Sequence, residues 1–270
     1  MRYREIADTG VNVSAIGFGT VKIGRDQGVK YPQSFVIPDD KQVLNLLSIC
    51  TELGINLLDT APAYGNSEQR LGQLLSPSQR QDWLISSKAG EEFDENSGTS
   101  HYDFSERAII ASVERSLRRL KTDYLDIVMI HSNGDDLDII ERQGALATLA
   151  KLKQAGKIRA TGMSTKTIAG GIAALEHSDC VMVTYNLNER SEREVIEYAH
   201  LHNKGIFIKK AFASGHLSSE STDAGEDSIV ASFKLIFSEA GVSSAVIGTI
   251  NENNLRENIE KYQQVIKEIS

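Results

Sequence analysis

Residues 39–61 read DDKQVLNLLSICTELGINLLDTA, and this stretch contains the unit from which the fold is built. Asp39 can cap the start of a helix, apolar side chains recur every three to four residues, and Gly54 can end the helix. The run INLLDTA follows, and its consecutive apolar residues suit a strand that is buried on both faces. The stretch therefore predicts a helix over 39–53 and a parallel strand over 55–61.

Seven further apolar runs, rich in valine, isoleucine and leucine, alternate with amphipathic stretches along the chain. The runs predict strands over 14–20, 83–89, 124–131, 158–164, 180–186, 205–211 and 244–249. The amphipathic stretches predict helices over 66–75, 104–120, 138–155, 166–176, 190–203 and 251–268. This alternation predicts a closed, parallel, eight-stranded (β/α)8 TIM barrel, formed by residues 1–270 as one domain. An open doubly wound sheet is the alternative, but the first strand carries GFGTVKIG instead of the GxGxxG spacing.

Three other segments complete the predicted architecture. Residues 2–13 can form an N-terminal β-hairpin, with DTG at 8–10 as its turn, and this hairpin would cap the barrel floor. Residues 91–103 and 216–228 are polar and contain glycine and serine, which is typical of long exposed loops.

The composition narrows the classes of function. The 270 residues carry a net charge of −8 with a pI near 5.3, which argues against a nucleic-acid partner. No apolar run approaches the ~20 residues of a membrane span, and MRYREIADTG lacks the apolar core of a signal peptide. Cys50 and Cys180 belong to no CxxC or Cys/His cluster, so neither a disulfide framework nor a metal site is indicated. We expect a reduced, soluble, cytoplasmic protein that is a monomer by default.

Polar side chains stand where three consecutive predicted strands end. The second strand ends at Asp59, the third at Lys88 and the fourth at His131, while Tyr64 lies in the loop after the second strand. TIM barrels build their sites at this carboxyl end of the strands. Because neighbouring strands lie roughly 4.8 Å apart, the four side chains can converge over a span of about 10 Å.

These four groups suit proton donation to a carbonyl oxygen. A phenol has a pKa of about 10, but a nearby ammonium favours the phenolate and lowers that pKa. Lys88 can supply the ammonium, and Asp59 can hold it in place. Neutral His131 can donate a hydrogen bond to the same oxygen that Tyr64 protonates. Since no side chain delivers hydride, the chemistry requires a nicotinamide cofactor.

Each of these residues taken alone also has an ordinary structural explanation. An aspartate before Thr-Ala-Pro often forms a turn, and a loop tyrosine usually packs against its neighbours. A lysine at a strand end is usually solvated, and a histidine after VMI is usually part of the core. Their joint occurrence at the ends of adjacent strands is what favours a site.

The stretch DTAPAYGNSEQRLGQLL (59–75) resembles the signature of the aldo-keto reductase superfamily. The motifs that follow in the family's order are SSKAG (86–90), DIVMIH (126–131), GMST (162–165), YNLNER (185–190), ASGHL (213–217) and IGTINENNLREN (247–258). The resemblance covers nearly the whole chain and implies NAD(P)H-dependent carbonyl reduction on a (β/α)8 barrel. It implies that Tyr64 is the general acid and that Lys88 lowers its pKa. It also implies that Asp59 anchors Lys88 and that His131 orients the substrate.

The resemblance further implies a set of cofactor contacts at the strand ends. These residues are Thr20, Asp59, Ser164, Thr165, Lys209, Phe212, Ser214, Leu217, Gly248, Thr249, Asn254 and Asn258. Phe212, Ser214 and Leu217 resemble the loop that crosses the cofactor diphosphate. The backbone amides that open helix 251–268 can bind an anion.

Several positions on the cofactor side depart from the family pattern. Thr165 stands where the family usually has asparagine, and Met182 where it often has glutamine. Lys209 occupies the position of an aromatic residue that stacks on the nicotinamide. Because Lys209 and Lys210 are neighbours on a strand, we expect at most one of them, Lys209, to face the barrel mouth.

The cofactor itself is expected to be NADPH on family grounds, with NADH or dual use as the alternative. NADP-selective members often carry an arginine where this chain has Asn254. Arg256 lies about 200° further around the helix and is expected to face away.

The predicted function is reduction of a small aldehyde or ketone, of the carbonyl reductase or alcohol dehydrogenase type. The alternative is a cofactor-binding barrel with little turnover that acts as a redox-sensing or regulatory subunit. A lyase that forms a Schiff base on Lys88 is disfavoured, because Asp59 would keep that amine charged and a charged amine is a poor nucleophile.

Overall fold

The computed structural model describes residues 1–217 and 226–269. The strands in these residues are β1 (Tyr3–Glu5), β2 (Asn12–Ser14), β3 (Ile16–Gly19), β4 (Leu57–Asp59), β5 (Leu84–Ala89), β6 (Glu91–Asp94), β7 (Thr99–Tyr102), β8 (Leu125–His131), β9 (Ile158–Ser164), β10 (Cys180–Thr184), β11 (Gly205–Lys209) and β12 (Val242–Ile247). Eight of them are parallel and close into a barrel in the order β10-β11-β12-β3-β4-β5-β8-β9, which confirms the predicted (β/α)8 fold. Two antiparallel hairpins, β1–β2 and β6–β7, accompany the barrel.

The N-terminal hairpin caps the floor of the barrel, as predicted. Ile6, Val11 and Val13 are fully buried and pack among the side chains of the barrel interior. Ile6 lies against Gly205, where β11 begins, and a Cβ at that glycine would come within 2.8 Å of the Ile6 side chain. The hairpin thus closes the amino-terminal end of the strands with apolar surface.

The helices lie outside the barrel strands. They are α1 (Val21–Gly24), α2 (Asp40–Glu52), α3 (Ser67–Leu74), α4 (Pro77–Arg80), α5 (Glu106–Leu120), α6 (Asp136–Glu141), α7 (Ala145–Gln154), α8 (Ile168–His177), α9 (Arg193–Leu201), α10 (Ser228–Phe237) and α11 (Glu252–Glu268). The side chains of Asp39 and Gln42 form a capping box at the start of α2. Within the described ranges, no helix is long and apolar enough to cross a membrane.

Some predicted elements are wrong in detail. The single helix over 138–155 is two helices, α6 and α7, because Gly144 adopts a left-handed conformation (φ 65°) at the start of α7. The exposed loop over 91–103 is instead the hairpin β6–β7, with Gly98 (φ 67°) in its turn. Helix α10 was not predicted, since its sequence is apolar almost throughout. Most of the predicted loop over 216–228 lies outside the described residues.

The period of two along each strand determines which side chains enter the barrel. The interior layer is apolar and contains Leu57, Ile127, Met129, Ala160, Cys180, Met182 and Phe207. Two positions beyond Leu57, Met129 and Phe207, the next inward side chains are Asp59, His131 and Lys209. The upper layer of the barrel interior is therefore polar, and it opens at the carboxyl end of the strands.

Candidate active site

A buried ion pair forms the base of the site. Lys88 Nζ donates to Asp59 Oδ1 at 2.7 Å and to the carbonyl oxygen of Thr60 at 3.0 Å. The exposed fractions of the two charged side chains are 1% and 5%. Burial lowers the pKa of Lys88, but Asp59 and Tyr64 raise it by more, so the amine keeps its proton.

Tyr64 is held over this pair by the loop that follows β4. Gly65 has a left-handed backbone (φ 58°), and a Cβ there would lie 2.1 Å from the carbonyl oxygen of Gly24. Arg25 Nη1 donates to the carbonyl oxygen of Ala63 at 2.8 Å. The loop is thus packed tightly against α1, which fixes the direction of the phenol.

The Tyr64 ring lies beside both Lys88 and His131. Lys88 Nζ is 4.7 Å from the ring centroid, and the rings of Tyr64 and His131 meet edge to face with centroids 6.2 Å apart. Burial raises the pKa of Tyr64 to about 12, which outweighs the lowering by Lys88. Lys88 therefore acts in the expected direction, but the phenol remains protonated at neutral pH.

His131 contacts a carboxylate that the sequence did not point to. Its Nδ1 lies 2.7 Å from Glu91 Oε2, and Glu91 opens β6 above the barrel mouth. Burial lowers the pKa of His131, and the contact with Glu91 raises it by less. Burial acts to raise the pKa of Glu91, but contacts with His131, Ser100 and Tyr102 bring it down to about 2. At neutral pH the histidine is neutral and the glutamate is ionised.

A cavity of about 780 Å³ opens above these groups. The predicted site residues that line it are Asp59, Tyr64, Lys88, His131, Ser164, Lys209, Phe212, Ser214, Leu217, Gly248, Thr249, Asn254 and Asn258. Thr20 and Thr165 do not line it. The Thr20 hydroxyl is buried behind the strand ends, where it donates to the carbonyl oxygen of Asp59 at 2.9 Å. The Thr165 hydroxyl is buried and has no hydrogen-bond partner among the residues that the structure describes.

The charge of this cavity is opposite to that of the whole chain. The lysines that line it are Lys22, Lys88, Lys209 and Lys210, and the carboxylates are Asp59 and Glu257. Among the described residues, four lysines therefore face two carboxylates, although the chain has a net charge of −8. Such a cavity suits an anionic ligand.

Comparison with known proteins decides the family. A model of the Aldo/keto reductase family matches residues 15–228. The chain belongs to the aldo-keto reductase family. Members of this family are oxidoreductases that use nicotinamide cofactors and act on small carbonyl substrates.

Individual aldo-keto reductases resemble the chain over most of its length. The aldo-keto reductase YhdN of Bacillus subtilis is 32% identical over 83% of this chain and 66% of its own length. L-Galactose dehydrogenase of Arabidopsis thaliana is 29% identical over 80% of this chain and 67% of its own length. The structure of PA4992 from Pseudomonas aeruginosa is 49% identical, with a TM-score of 0.87, and covers 98% of this chain and 95% of that one.

Lys209 occupies the place where many aldo-keto reductases carry an aromatic residue. Its Nζ donates to Ser164 Oγ at 3.0 Å and to the carbonyl oxygen of Thr165 at 2.6 Å. Burial lowers the pKa of Lys209 to about 8. The expectation that at most one of the paired lysines faces the mouth is wrong. Lys210 follows the strand with a left-handed backbone (φ 55°), so strand alternation no longer applies and it also lines the cavity.

The far end of the cavity lies along the first turns of α11. Asn254, Glu257 and Asn258 line it, and Asn251 caps the helix by accepting from the Asn254 amide at 3.0 Å. Arg256 points away and forms two hydrogen bonds with Glu52 at 3.0 and 2.9 Å, as its helical position predicted. This end of the cavity therefore receives no cation from α11.

Proposed function

We propose that the protein reduces an aldehyde or ketone to an alcohol, with hydride from NAD(P)H and a proton from Tyr64. The observation that carries the proposal is the buried Lys88–Asp59 pair beside the Tyr64 ring, in a cavity that His131 also lines. When bound, the reduced nicotinamide supplies the hydride that no side chain can supply. The four side chains supply the proton and the charge stabilisation.

Tyr64 is suited to give its proton only late in the reaction. With a pKa raised to about 12 by burial, it enters the reaction as the neutral phenol. As negative charge develops on the carbonyl oxygen, that oxygen becomes basic enough to take the phenolic proton. The Lys88 ammonium then stabilises the phenolate that remains, and Asp59 keeps Lys88 charged and in position. A permanently charged Lys88 also disfavours Schiff-base chemistry at this residue.

The residues around the cavity fit a dinucleotide. The volume of about 780 Å³ and the excess of lysines suit a ligand with a diphosphate. Ser164 and Lys209 would hold the nicotinamide carboxamide, and Ser214 would lie near the diphosphate. The N-terminal turn of the 17-residue helix α11, which Asn251 caps, would face the adenosine end.

NADPH is the cofactor that the resemblance favours, but the helix α11 offers no arginine to a 2′-phosphate. Asn254 and Glu257 line that end of the cavity, and Arg256 is bound to Glu52. We therefore propose weak discrimination, with dissociation constants for NADPH and NADH within about tenfold of each other. Titration of protein fluorescence with each dinucleotide measures the ratio, and a preference for NADPH of several hundredfold would contradict this reasoning.

The test of the function is oxidation of NADPH or NADH, followed by absorbance, with a panel of small aldehydes and ketones. The expected result is turnover that the Tyr64→Phe variant loses while it still binds the dinucleotide. Tight dinucleotide binding without turnover of any carbonyl compound would instead support the redox-sensing or regulatory alternative.

A further inference from the structure

Arg25 joins segments of the chain that meet at the barrel mouth. It follows α1, and its guanidinium donates to the carbonyl oxygens of Gln27 at 2.7 Å, Ala63 at 2.8 Å and Gly28 at 3.3 Å. Ala63 immediately precedes Tyr64 in the loop after β4. A guanidinium presents five N–H donors in a fixed planar fork, so it can hold several carbonyl oxygens at once. Arg25 therefore binds the backbone of the loop that carries the phenol.

The same guanidinium packs on the β6–β7 hairpin. Its Cζ lies 3.5 Å from the ring centroid of Phe93 in β6, which is the geometry of a cation stacked on an aromatic face. Gly28 lies against the turn of this hairpin, since a Cβ there would come within 3.5 Å of the Gly98 carbonyl oxygen. The segment 25–28 is thus packed between the hairpin and the Tyr64 loop.

The Tyr64 loop is attached to this segment on both sides of the phenol. Arg25 holds the carbonyl group of Ala63, a residue that is 1% exposed. The Asn66 amide donates to the carbonyl oxygen of Gly24 at 3.2 Å. Because the chain is held both before and after Tyr64, the direction of the phenol depends on where this segment lies.

The hairpin in turn reaches the second ring of the site. Glu91 opens β6, and its Oε2 lies 2.7 Å from His131 Nδ1. Glu91 and Phe93 are two residues apart on one strand, so their side chains lie on the same face of the hairpin. The rings of Tyr64 and His131 meet with their centroids 6.2 Å apart. Arg25 therefore lies between the loop that carries the phenol and the strand that contacts the imidazole.

We propose that Arg25 is a positioning residue that fixes the Tyr64 loop and the β6–β7 hairpin as one unit. The functional part of this proposal rests on the proposed carbonyl reduction, in which Tyr64 and His131 must both reach the same carbonyl oxygen. A displacement of about 1 Å in such an arrangement can lower the rate about 10²-fold. Arg25 does not itself line the cavity. Its loss should therefore lower kcat and leave dinucleotide binding nearly unchanged.

Hydrogen exchange tests the unit without any assay of activity. Arg25→Lys keeps the charge but loses the fork that spans the carbonyl oxygens. By mass spectrometry, amide exchange in peptides 60–68 and 90–104 should both become about fivefold faster or more, the worth of one lost hydrogen bond. Exchange in the buried strand β8 should stay the same. Faster exchange in only one of the two peptides, or in neither, would overturn the proposal.

Phe93→Leu perturbs the same unit from the hairpin. It removes the aromatic face and keeps an apolar side chain, so the hairpin itself should fold. The same two peptides should exchange faster than in the wild type, and faster exchange in 90–104 alone would contradict the coupling. This comparison decides the proposal even if Arg25→Lys does not fold.

Rescue by guanidinium separates positioning from a general loss of stability. Arg25→Ala should lower kcat for carbonyl reduction about tenfold or more, with the dissociation constant for NADPH within about twofold of the wild-type value. Millimolar guanidinium chloride should restore much of the rate, because the free ion can bind the same carbonyl oxygens and stack on Phe93. Methylammonium chloride lacks the planar fork and should not restore it. Equal effects of the two salts on the variant would contradict the proposal.

Arg142→Ala is the matched control. The Arg142 side chain is 82% exposed and contacts Asp138 on α6. This variant should show wild-type kcat, wild-type exchange in both peptides and no response to guanidinium. A response as large as that of Arg25→Ala would show that the salt acts on the whole protein, and would contradict a specific role for Arg25. Absence of turnover in the wild type would contradict the proposed function, while the exchange result would still decide whether Arg25 joins the two segments.

Discussion

The Lys88–Asp59 pair should stabilise the fold only while both partners are present. Asp59→Ala leaves an ammonium, and Lys88→Met leaves a carboxylate, at a position where both side chains are at most 5% exposed. Loss of one partner from a buried ion pair costs about 3–5 kcal/mol. The double variant removes both charges, so we expect its free energy of unfolding to lie within about 1–2 kcal/mol of the wild-type value.

The assay is urea denaturation followed by tryptophan fluorescence and circular dichroism at neutral pH. A loss of 3–5 kcal/mol corresponds to a fall in melting temperature of about 5–9 °C in a chain of this size. The double variant should recover most of that loss but none of the catalytic activity. Stability and catalysis are thereby separated, because only catalysis needs the ammonium itself.

An exposed ion pair with similar geometry provides the control. Arg256 and Glu52 form hydrogen bonds of 3.0 and 2.9 Å, but their side chains are 41% and 61% exposed. Glu52→Ala should cost less than about 1 kcal/mol. If Asp59→Ala cost no more than Glu52→Ala, or if the double variant lost the sum of the two single losses, the reasoning from burial would be wrong.

Four further variants probe the other groups at the mouth. Tyr64→Phe should lower kcat for carbonyl reduction about 10²–10⁴-fold and leave the dissociation constant for NADPH within about twofold; a large loss of affinity would contradict its role as an acid. Lys209→Met should weaken NADPH binding about tenfold or more in calorimetric titration, and the exposed Lys210→Met by much less; equal losses would refute a specific contact. The pKa of Glu91 is about 2, below its ordinary value, so its stabilising effect is complete above the ordinary carboxyl pKa and is lost as the pH falls toward 2. In Glu91→Gln, the loss of unfolding free energy between neutral and acid pH should therefore be smaller than in the wild type by roughly 3 kcal/mol. An equal loss in the two proteins would contradict the contact between Glu91 and His131.

The placement of three of the four proposed catalytic side chains could be predicted because side chains alternate between the two faces of a strand. Each parallel strand places alternate residues in the barrel, so a polar residue at the end of an apolar run lies in the upper layer. Asp59, Lys88 and His131 satisfy this rule on adjacent strands. Their roles in catalysis stay predictions, but their proximity follows from the two-residue period of side chains along each strand and from the order of the strands.

Glu91 could not be found by the same rule. The segment EEFD at 91–94 has no apolar alternation, since the hairpin lies over the mouth and does not join the barrel. One signal was available in the turn Asn96-Ser97-Gly98, whose glycine has the left-handed conformation that such a hairpin needs. Even so, the contact with His131 depends on how the hairpin lies on the barrel, which local sequence does not encode.

The substitutions at Met182 and Lys209 are best understood together. Met182 pairs with Ser164 on one side and with Phe207 on the other, so these three residues lie at one level of the barrel. Lys209 lies one inward position higher, and its amine reaches Ser164 Oγ at 3.0 Å. A thioether donates no hydrogen bond, so the lysine supplies a donor that methionine at 182 cannot.

The Lys209 donor carries a positive charge, whereas the amide of the glutamine that the family often has at position 182 is neutral. If Lys209 contacts the nicotinamide, its ammonium repels the cationic ring of the oxidised cofactor but not the neutral ring of the reduced one. The wild type should then bind NADPH several-fold more tightly than NADP⁺ at neutral pH. Because the pKa of Lys209 is about 8, the preference should fade as the pH rises through that value, and it should be absent at every pH in Lys209→Met. A preference that persists unchanged in this variant would place the charge elsewhere, and Lys209 would then serve only to hold Ser164 in position.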